Sequence, residues 1–240
     1  MVDYKISIIT ATYNAVEYLP RLVDSLRAQT DKNFEWIVAD GNSTDGTKEI
    51  LENITDLNLI VDSAPDFGIY DALNRAISRS NNDYYLVLGA DDILYPDAVS
   101  SFRKLIKSTN ADMITARVCV DNIIQSTRRA WPWLYGAFFY VSCHAVGTLI
   151  NKHLHEQYGM YSAKFPIAAD QLFLLKAGDG GANIVRADFV AGEFATDGVS
   201  GSDVLGALTE GLRVQILTGR NRFVQLIIFF LRVIKNYRKI

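Results

Sequence analysis

Four short, almost wholly apolar runs, each separated from the next by a segment of helical periodicity, constrain this chain more than any other feature. They lie at residues 5–10 (KISIIT), 34–39 (FEWIVA), 57–62 (LNLIVD) and 83–89 (DYYLVLG). A strand whose residues are nearly all apolar must be covered on both faces, which is the condition of a parallel sheet flanked by helices. The intervening segments predict helices near 15–29, 44–53 and 68–80. In the third, Ile69, Ala72, Leu73, Ala76 and Ile77 form one apolar stripe opposite Tyr70, Asp71, Asn74 and Arg75. Such alternation gives an α/β fold with a mostly parallel central sheet.

Beyond residue 90 the pattern loosens. A helix is expected near 96–107, where Pro96 suits a first turn, then a strand near 112–118. The aromatic stretch 131–140 has no clean period. A helix near 169–177, strand-like segments near 183–195 and two helices near 203–218 and 221–238 complete the reading. With 240 residues and 49% hydrophobic content, one catalytic domain at 1–211 with a C-terminal helical segment at 212–240 is the simplest division.

That last segment differs in charge. After Glu210 the chain has seven basic side chains and no acidic one, against a net charge of −3 overall. Its core, residues 223–231 (FVQLIIFFL), is too short for the ~20 apolar residues of a membrane span. A basic, apolar helix of this kind fits an anionic membrane surface, or else packs on the domain or a second copy. The acidic body excludes general nucleic-acid binding. Cys119 and Cys143 lack metal-ligand spacing and read as small buried hydrophobes in a reducing compartment. Met1 runs into a strand with no basic leader, which leads us to expect a cytoplasmic protein, peripheral at the inner face of the cell membrane.

Open α/β sheets bind ligands at the carboxyl ends of their strands. Strand one ends in T-A-T-Y-N at 10–14, strand two in D-G-N-S-T-D-G-T at 40–47, and strand four in G-A-D-D at 89–92. Taken singly, Asn14, Ser43 or Thr44 is as well explained as a turn or helix cap. Together they converge on one sheet edge. The adjacent carboxylates Asp91 and Asp92 repel each other, which a divalent cation would relieve; a cap beside a surface acid is the alternative. No GxGxxG or Walker lysine loop is present.

These motifs, with P-D-x-G-I-Y-D-A-L-N at 65–74, occur in an order and spacing that closely resembles the family 2 inverting glycosyltransferases with the GT-A (Rossmann-like) fold, of the bacterial surface-polysaccharide type. The resemblance spans about residues 4–200 and includes Cys143 and His144, Ala168 to Asp170, and D-G-V-S at 197–200. It implies a nucleotide-sugar donor, Mn²⁺ or Mg²⁺, and a glycan or lipid-linked acceptor. It implies that Thr10, Tyr13, Asn14 and Asp40 hold the nucleoside, with Asp40 accepting from a base N–H, and that Asp71 and Asn74 reach the sugar or phosphates. Asp91, with Asp92 beside it, matches the metal-binding position, and Asp170 matches the general base. His144 is either structural or a diphosphate or acceptor contact. Trp131 and Trp133 lie in an aromatic patch, core or acceptor surface, that we assign to the acceptor. His153 and His155 are expected on the surface.

The sequence departs from the family pattern at Gly89, Gly41 and Ala169, each standing where many members have an acid. Two other classes fit parts of the pattern. A sugar nucleotidylyltransferase would open with a glycine-rich basic loop after strand one, and 10–14 has neither glycine nor a basic residue. A non-catalytic nucleotide-sugar-binding scaffold would share the fold and release no nucleotide from any donor.

Overall fold

A computed structural model describes residues 5–128, 131–195 and 203–240. The family-like motif at 197–200 lies outside the described residues. Strands β1 (Ile6–Thr12), β2 (Phe34–Asp40), β3 (Leu59–Ser63) and β4 (Tyr84–Val87) form a parallel unit in the order β3-β2-β1-β4. Beyond β4 the sheet continues through β8 (Thr148–Asn151), β6 (Met113–Val120), β9 (Ile184–Glu193) and the two-residue β5 (Ile93–Leu94). β8 runs antiparallel to both β4 and β6, so β6 and β9 regain the direction of the first four. A short β7 (Ile123–Gln125) pairs with β6.

Helices cover both faces, and the period of two along each strand decides which side chain meets which helix. Ile6 and Ile8 of β1, Trp36 and Val38 of β2, and Leu86 of β4 join Leu22, Leu26, Phe102 and Ile106, from α1 (Leu19–Arg27) and α4 (Ala98–Thr109), in one core. Ile9, Ile37, Ala39 and Tyr85 face the other way. They pack with Ala72, Leu73, Ala76 and Ile77 of α3 (Ile69–Arg79) and with Leu172, Phe173 and Leu175 of α7 (Ala169–Asp179). Four of the five residues of the predicted apolar stripe of α3 are therefore buried, while Ile69 in its first turn is 45% exposed.

The remaining helices are α2 (Thr47–Glu52), α5 (Pro132–Tyr135) running into a 3₁₀ turn at Gly136–Phe139, α6 (Leu154–Tyr158), α8 (Val204–Leu217) and α9 (Arg222–Asn236). The expected domain boundary at 211/212 falls inside α8. Its Val214 lies in the second core, and its Glu210 caps α7, so the helix is part of the body. The sequence pattern misses β5, β7 and β8 because two to four residues carry no periodicity.

His153 is exposed as expected, 3.4 Å from Asp112. His155 is not: it is 7% exposed, its ring stacked on Phe173. Cys119 and Cys143 are half-buried free thiols. No described helix is long and apolar enough to cross a membrane.

Candidate active site

The carboxyl ends of β1, β2 and β3 are held level by one carboxylate. Thr12, Asp40 and Ser63 are register partners across the three strands. Asp40 accepts from the Thr12 hydroxyl (3.0 Å), the Ser63 hydroxyl (2.8 Å), the Ser43 amide (3.0 Å) and the Ser43 hydroxyl. Burial opposes its ionisation, but these four donors outweigh that and hold its pKa below the usual carboxylate range. Asp40 is fully buried and its lone pairs are engaged, so the base N–H it was expected to accept from has no free oxygen to meet.

Thr10 also does not reach the cleft. Strand parity turns it into the first core, where its hydroxyl accepts from the Trp36 indole N–H at 3.0 Å and it is fully buried. Asn14 adopts a left-handed conformation (φ 50°) and braces the β2 loop: its amide donates to Ser43 Oγ, and its side-chain oxygen accepts from the Thr44 amide. Tyr13 is the exposed member of the group, 69% accessible. It lies over Gly41, where an added Cβ would stand 3.2 Å from its ring and 2.7 Å from the Asp66 carboxylate. Glycine at 41 thus leaves room for the close approach of Tyr13 and Asp66. Asp66 belongs to the quoted P-D-x-G segment, yet the sequence reading did not single it out.

On α3, Asp71 is half-buried in the first turn and accepts from the Phe67 amide (3.3 Å). Asn74 was expected to reach the donor. Its amide instead pairs with the backbone of Tyr161, donating to the carbonyl (2.9 Å) and accepting from the amide (3.0 Å). Its reach is spent on seating the 159–168 segment.

After β4, Asp92 turns inward. Its two oxygens accept from the Gly89 amide (2.6 Å) and the Ala195 amide (3.0 Å). It is 1% exposed, and burial pushes its pKa up to about 7. Asp91 remains half-exposed, its carboxylate without a hydrogen bond among the described residues. An added Cβ at Gly89 would stand 2.6 Å from Asp91 Oδ1 and 3.1 Å from Asp92 Oδ2, so the missing first acid leaves room for the two that follow.

Among the described residues no three acidic, histidine or cysteine side chains gather as a metal cage. One open carboxylate at a strand end suits Mg²⁺ or Mn²⁺, which commonly take one or two carboxylates and complete their shell with phosphate oxygens and water. The residues therefore fit a cation that arrives with a diphosphate.

Asp170 stands in the first turn of α7 without capping it. Glu210 does the capping, its Oε2 accepting from the amides of Ile167 and Ala168 at 2.9 Å each. Asp170 Oδ1 accepts from the Tyr70 hydroxyl (2.6 Å), whose proton is also directed at the Ile167 carbonyl (2.8 Å). Burial and the neighbouring carboxylate push the Tyr70 phenol well above its usual pKa, so it stays a donor. His144 approaches from the other side, Nδ1 at 3.8 Å from Asp170 Oδ2, with side chains 10% and 18% exposed respectively. Tyr70, Tyr161 and Glu210 were not singled out as site residues, because their roles arise from contacts across 17 to 100 residues of chain that no local pattern records.

Trp131 and Trp133 are 59% and 45% exposed, their rings 6.3 Å apart, at the start of α5. They form surface, and α9 is tied to the turn they flank: Gln225 donates to the Trp133 carbonyl (2.6 Å) and Arg232 to the Leu134 carbonyl (2.7 Å).

A parallel α/β sheet that gathers polar loops at its strand ends, extended by an antiparallel strand and a second half carrying a lone carboxylate, is the GT-A architecture. The glycosyl transferase family 2 model matches residues 7–164, and the chain belongs to that family. The PGL/p-HBAD biosynthesis glycosyltransferase of Mycobacterium tuberculosis is 31% identical over 190 residues, covering 75% of this chain and 72% of the relative. The solved structure of Staphylococcus aureus TarS 1–349 superposes with a TM-score of 0.74 at 22% identity, covering 98% of this chain and 73% of that one. A mannosyltransferase from Pyrobaculum calidifontis, in complex with GDP-Man and Mn²⁺, superposes at 0.67 and 15% identity over 97% and 75%. Family membership decides for sugar transfer over nucleotidyl transfer. Asp170 lies beyond the matched span.

Proposed function

We propose that this chain is an inverting, metal-assisted glycosyltransferase that moves one sugar from a nucleotide-diphosphate sugar to a hydroxyl of a glycan or lipid-linked acceptor. Surface-polysaccharide assembly at the cytoplasmic membrane face is the setting this reading fits. The observation that carries it is Asp170: a partly open carboxylate in the first turn of α7, oriented by the Tyr70 hydroxyl and facing His144. A carboxylate so held removes the acceptor proton as the oxygen attacks the anomeric carbon, typically worth ~10²–10⁴-fold. Tyr13, Asp66 and Asp91 line the donor side. A bound divalent cation would neutralise charge on the departing diphosphate.

Peripheral membrane contact is supported by the orientation of α9. Its polar Gln225 and Arg232 face the body, while Phe223, Ile227, Phe230, Leu231 and Ile234 are 60–69% exposed. Arg222, Lys235, Arg238 and Lys239 are exposed on the same helix or just beyond its end. Trp131 and Trp133, placed beside it, fit an acceptor whose lipid end lies in the same surface.

A thermal-shift screen against UDP-, GDP- and dTDP-sugars with Mn²⁺ tests the reading. A donor at a hundred times its dissociation constant stabilises by about 2.7 kcal/mol. Stabilisation without nucleotide release from any donor would return the chain to the scaffold class.

A further inference from the structure

A chain of buried polar groups runs from Asp170 into the second core. His144 Nε2 lies 2.7 Å from the Tyr161 hydroxyl, which lies 2.9 Å from the Tyr85 hydroxyl. Tyr85 in turn lies 2.7 Å from His155 Nε2, and His155 Nδ1 is 3.1 Å from the Gly159 carbonyl. Tyr161 and Tyr85 are 3% and 0% exposed, so water does not supply alternative partners to them.

The far end fixes the direction of every bond. A carbonyl oxygen only accepts, so His155 carries its proton on Nδ1 and presents an unprotonated Nε2. Burial lowers the His155 pKa to about 4, which keeps that ring neutral. Tyr85 must then donate to His155, and its oxygen needs a donor in the 2.9 Å contact with Tyr161. Each phenol has one proton, so Tyr161 spends its own on Tyr85. Burial drives both phenols above their usual pKa, so neither ionises. The Tyr161 oxygen is left as an acceptor, and His144 must meet it with an Nε2–H. Neutral His144 therefore has its lone pair on Nδ1, the atom that faces Asp170.

We propose that the His155–Tyr85–Tyr161 chain holds His144 as the Nε2–H tautomer, so that Nδ1 takes over the proton Asp170 removes from the acceptor hydroxyl. The inference rests on Asp170 being the base. As the acceptor oxygen bonds to the anomeric carbon, the bond to the diphosphate breaks and the nucleotide leaves with that electron pair. The acceptor O–H proton goes to the Asp170 carboxylate and on to His144 Nδ1, giving an imidazolium beside a restored carboxylate. Water collects the proton after the product leaves. Asn74 is a positioning residue in this scheme, because its paired hydrogen bonds hold the Tyr161 backbone. Among the described residues, the titratable groups around the pair are Tyr70 on α3, Tyr161, His155 on α6, Cys143 beside His144, Asp92 after β4, and Glu210 on α8.

The chain has three histidines, so long-range ¹H–¹⁵N correlation spectra of histidine-labelled protein resolve each ring. Above the imidazole titration range, His144 is expected as the Nε2–H tautomer. In Tyr85→Phe, Tyr161 regains its proton for His144 Nε2, and His144 should switch to Nδ1–H. Tyr161→Phe should give the same switch by removing the acceptor. An Nδ1–H tautomer in the unsubstituted protein would overturn the proposal, and so would a His144 that keeps Nε2–H in both variants. In Asp170→Asn the titration midpoint of His144 should fall by about one pH unit or more, since the lost carboxylate favoured the imidazolium. An unmoved midpoint would show that the two groups exchange no proton. A correct tautomer with undiminished turnover in Asp170→Asn would retire Asp170 as the base and leave the chain standing. The reverse pattern would retire the chain alone.

Discussion

Glu210 supplies the cap that Ala168 cannot, accepting from the amides of Ile167 and Ala168 at the start of the helix that carries Asp170. With alanine at the N-cap position, the helix has no capping side chain of its own. Here a carboxylate from α8 fixes the turn that leads into the helix, while Asp170, in its first turn, points toward Tyr70 and His144. We expect Glu210→Ala to lower stability by about 1–2 kcal/mol, the scale of a lost cap. Glu210→Gln should cost less, because it keeps an acceptor oxygen. Chemical denaturation measures both, and equal midpoints for all three proteins would remove Glu210 from its capping role.

Asp170→Asn separates a base from a structural acceptor. Asparagine preserves the size and can still accept from Tyr70, but it takes up no proton. Folding and donor binding should be unchanged, with turnover reduced ~10²-fold or more. Near-normal turnover would send the search for the base elsewhere.

Among the described residues, Asp91 is the carboxylate at the β4 end that the fold leaves open, since Asp92 spends both oxygens on backbone amides. Asp91→Ala should abolish Mn²⁺-dependent nucleotide binding while the melting temperature without ligand stays put. Asp92→Ala should instead destabilise the fold by leaving the Gly89 and Ala195 amides unpaired, about 1–3 kcal/mol each. Calorimetric titration of nucleotide with and without EDTA distinguishes the two, and full activity in excess EDTA would end the metal assignment.

What was legible in the sequence, and what was not, divides along physical lines. The apolar runs of β1, β2 and β4 and four of the five stripe residues of α3 are local patterns, and the structure buries them as read, whereas β3 lies at the sheet edge with Val61 42% exposed. Side-chain direction at the end of a strand depends on parity over one residue: Thr10 points into the core, and Tyr13, three positions on, stands in the open. His155 looked like a surface residue because its partners Tyr85 and Phe173 lie far along the chain. Asn74 sits on the polar side of α3 as the pattern requires, but what it meets is a loop with no periodic signal. The family resemblance picked out segments that the fold gathers at the carboxyl ends of the strands. Which oxygen in each segment is free was set by tertiary hydrogen bonds.

The orientation of α9 was equally invisible, because an amphipathic pattern does not say which face turns inward. Burying Gln225 and Arg232 is compensated by the Trp133 and Leu134 carbonyls, and burial lowers the Arg232 pKa without neutralising it. The outward side chains repeat at i, i+4, i+7 and i+11 from Phe223 through Ile227 and Phe230 to Ile234, one continuous stripe. Replacing these four with serine should abolish co-flotation with phosphatidylserine-containing vesicles. The melting temperature should hold, because none of the four is part of the packed interior. Raised salt should weaken binding of the unsubstituted protein by screening its basic groups, and neutral phosphatidylcholine vesicles should bind it less. A variant that still floats would show that the stripe is not the membrane contact. If the unsubstituted protein sediments as a dimer and the variant as a monomer, the stripe joins two copies and the lipid reading fails.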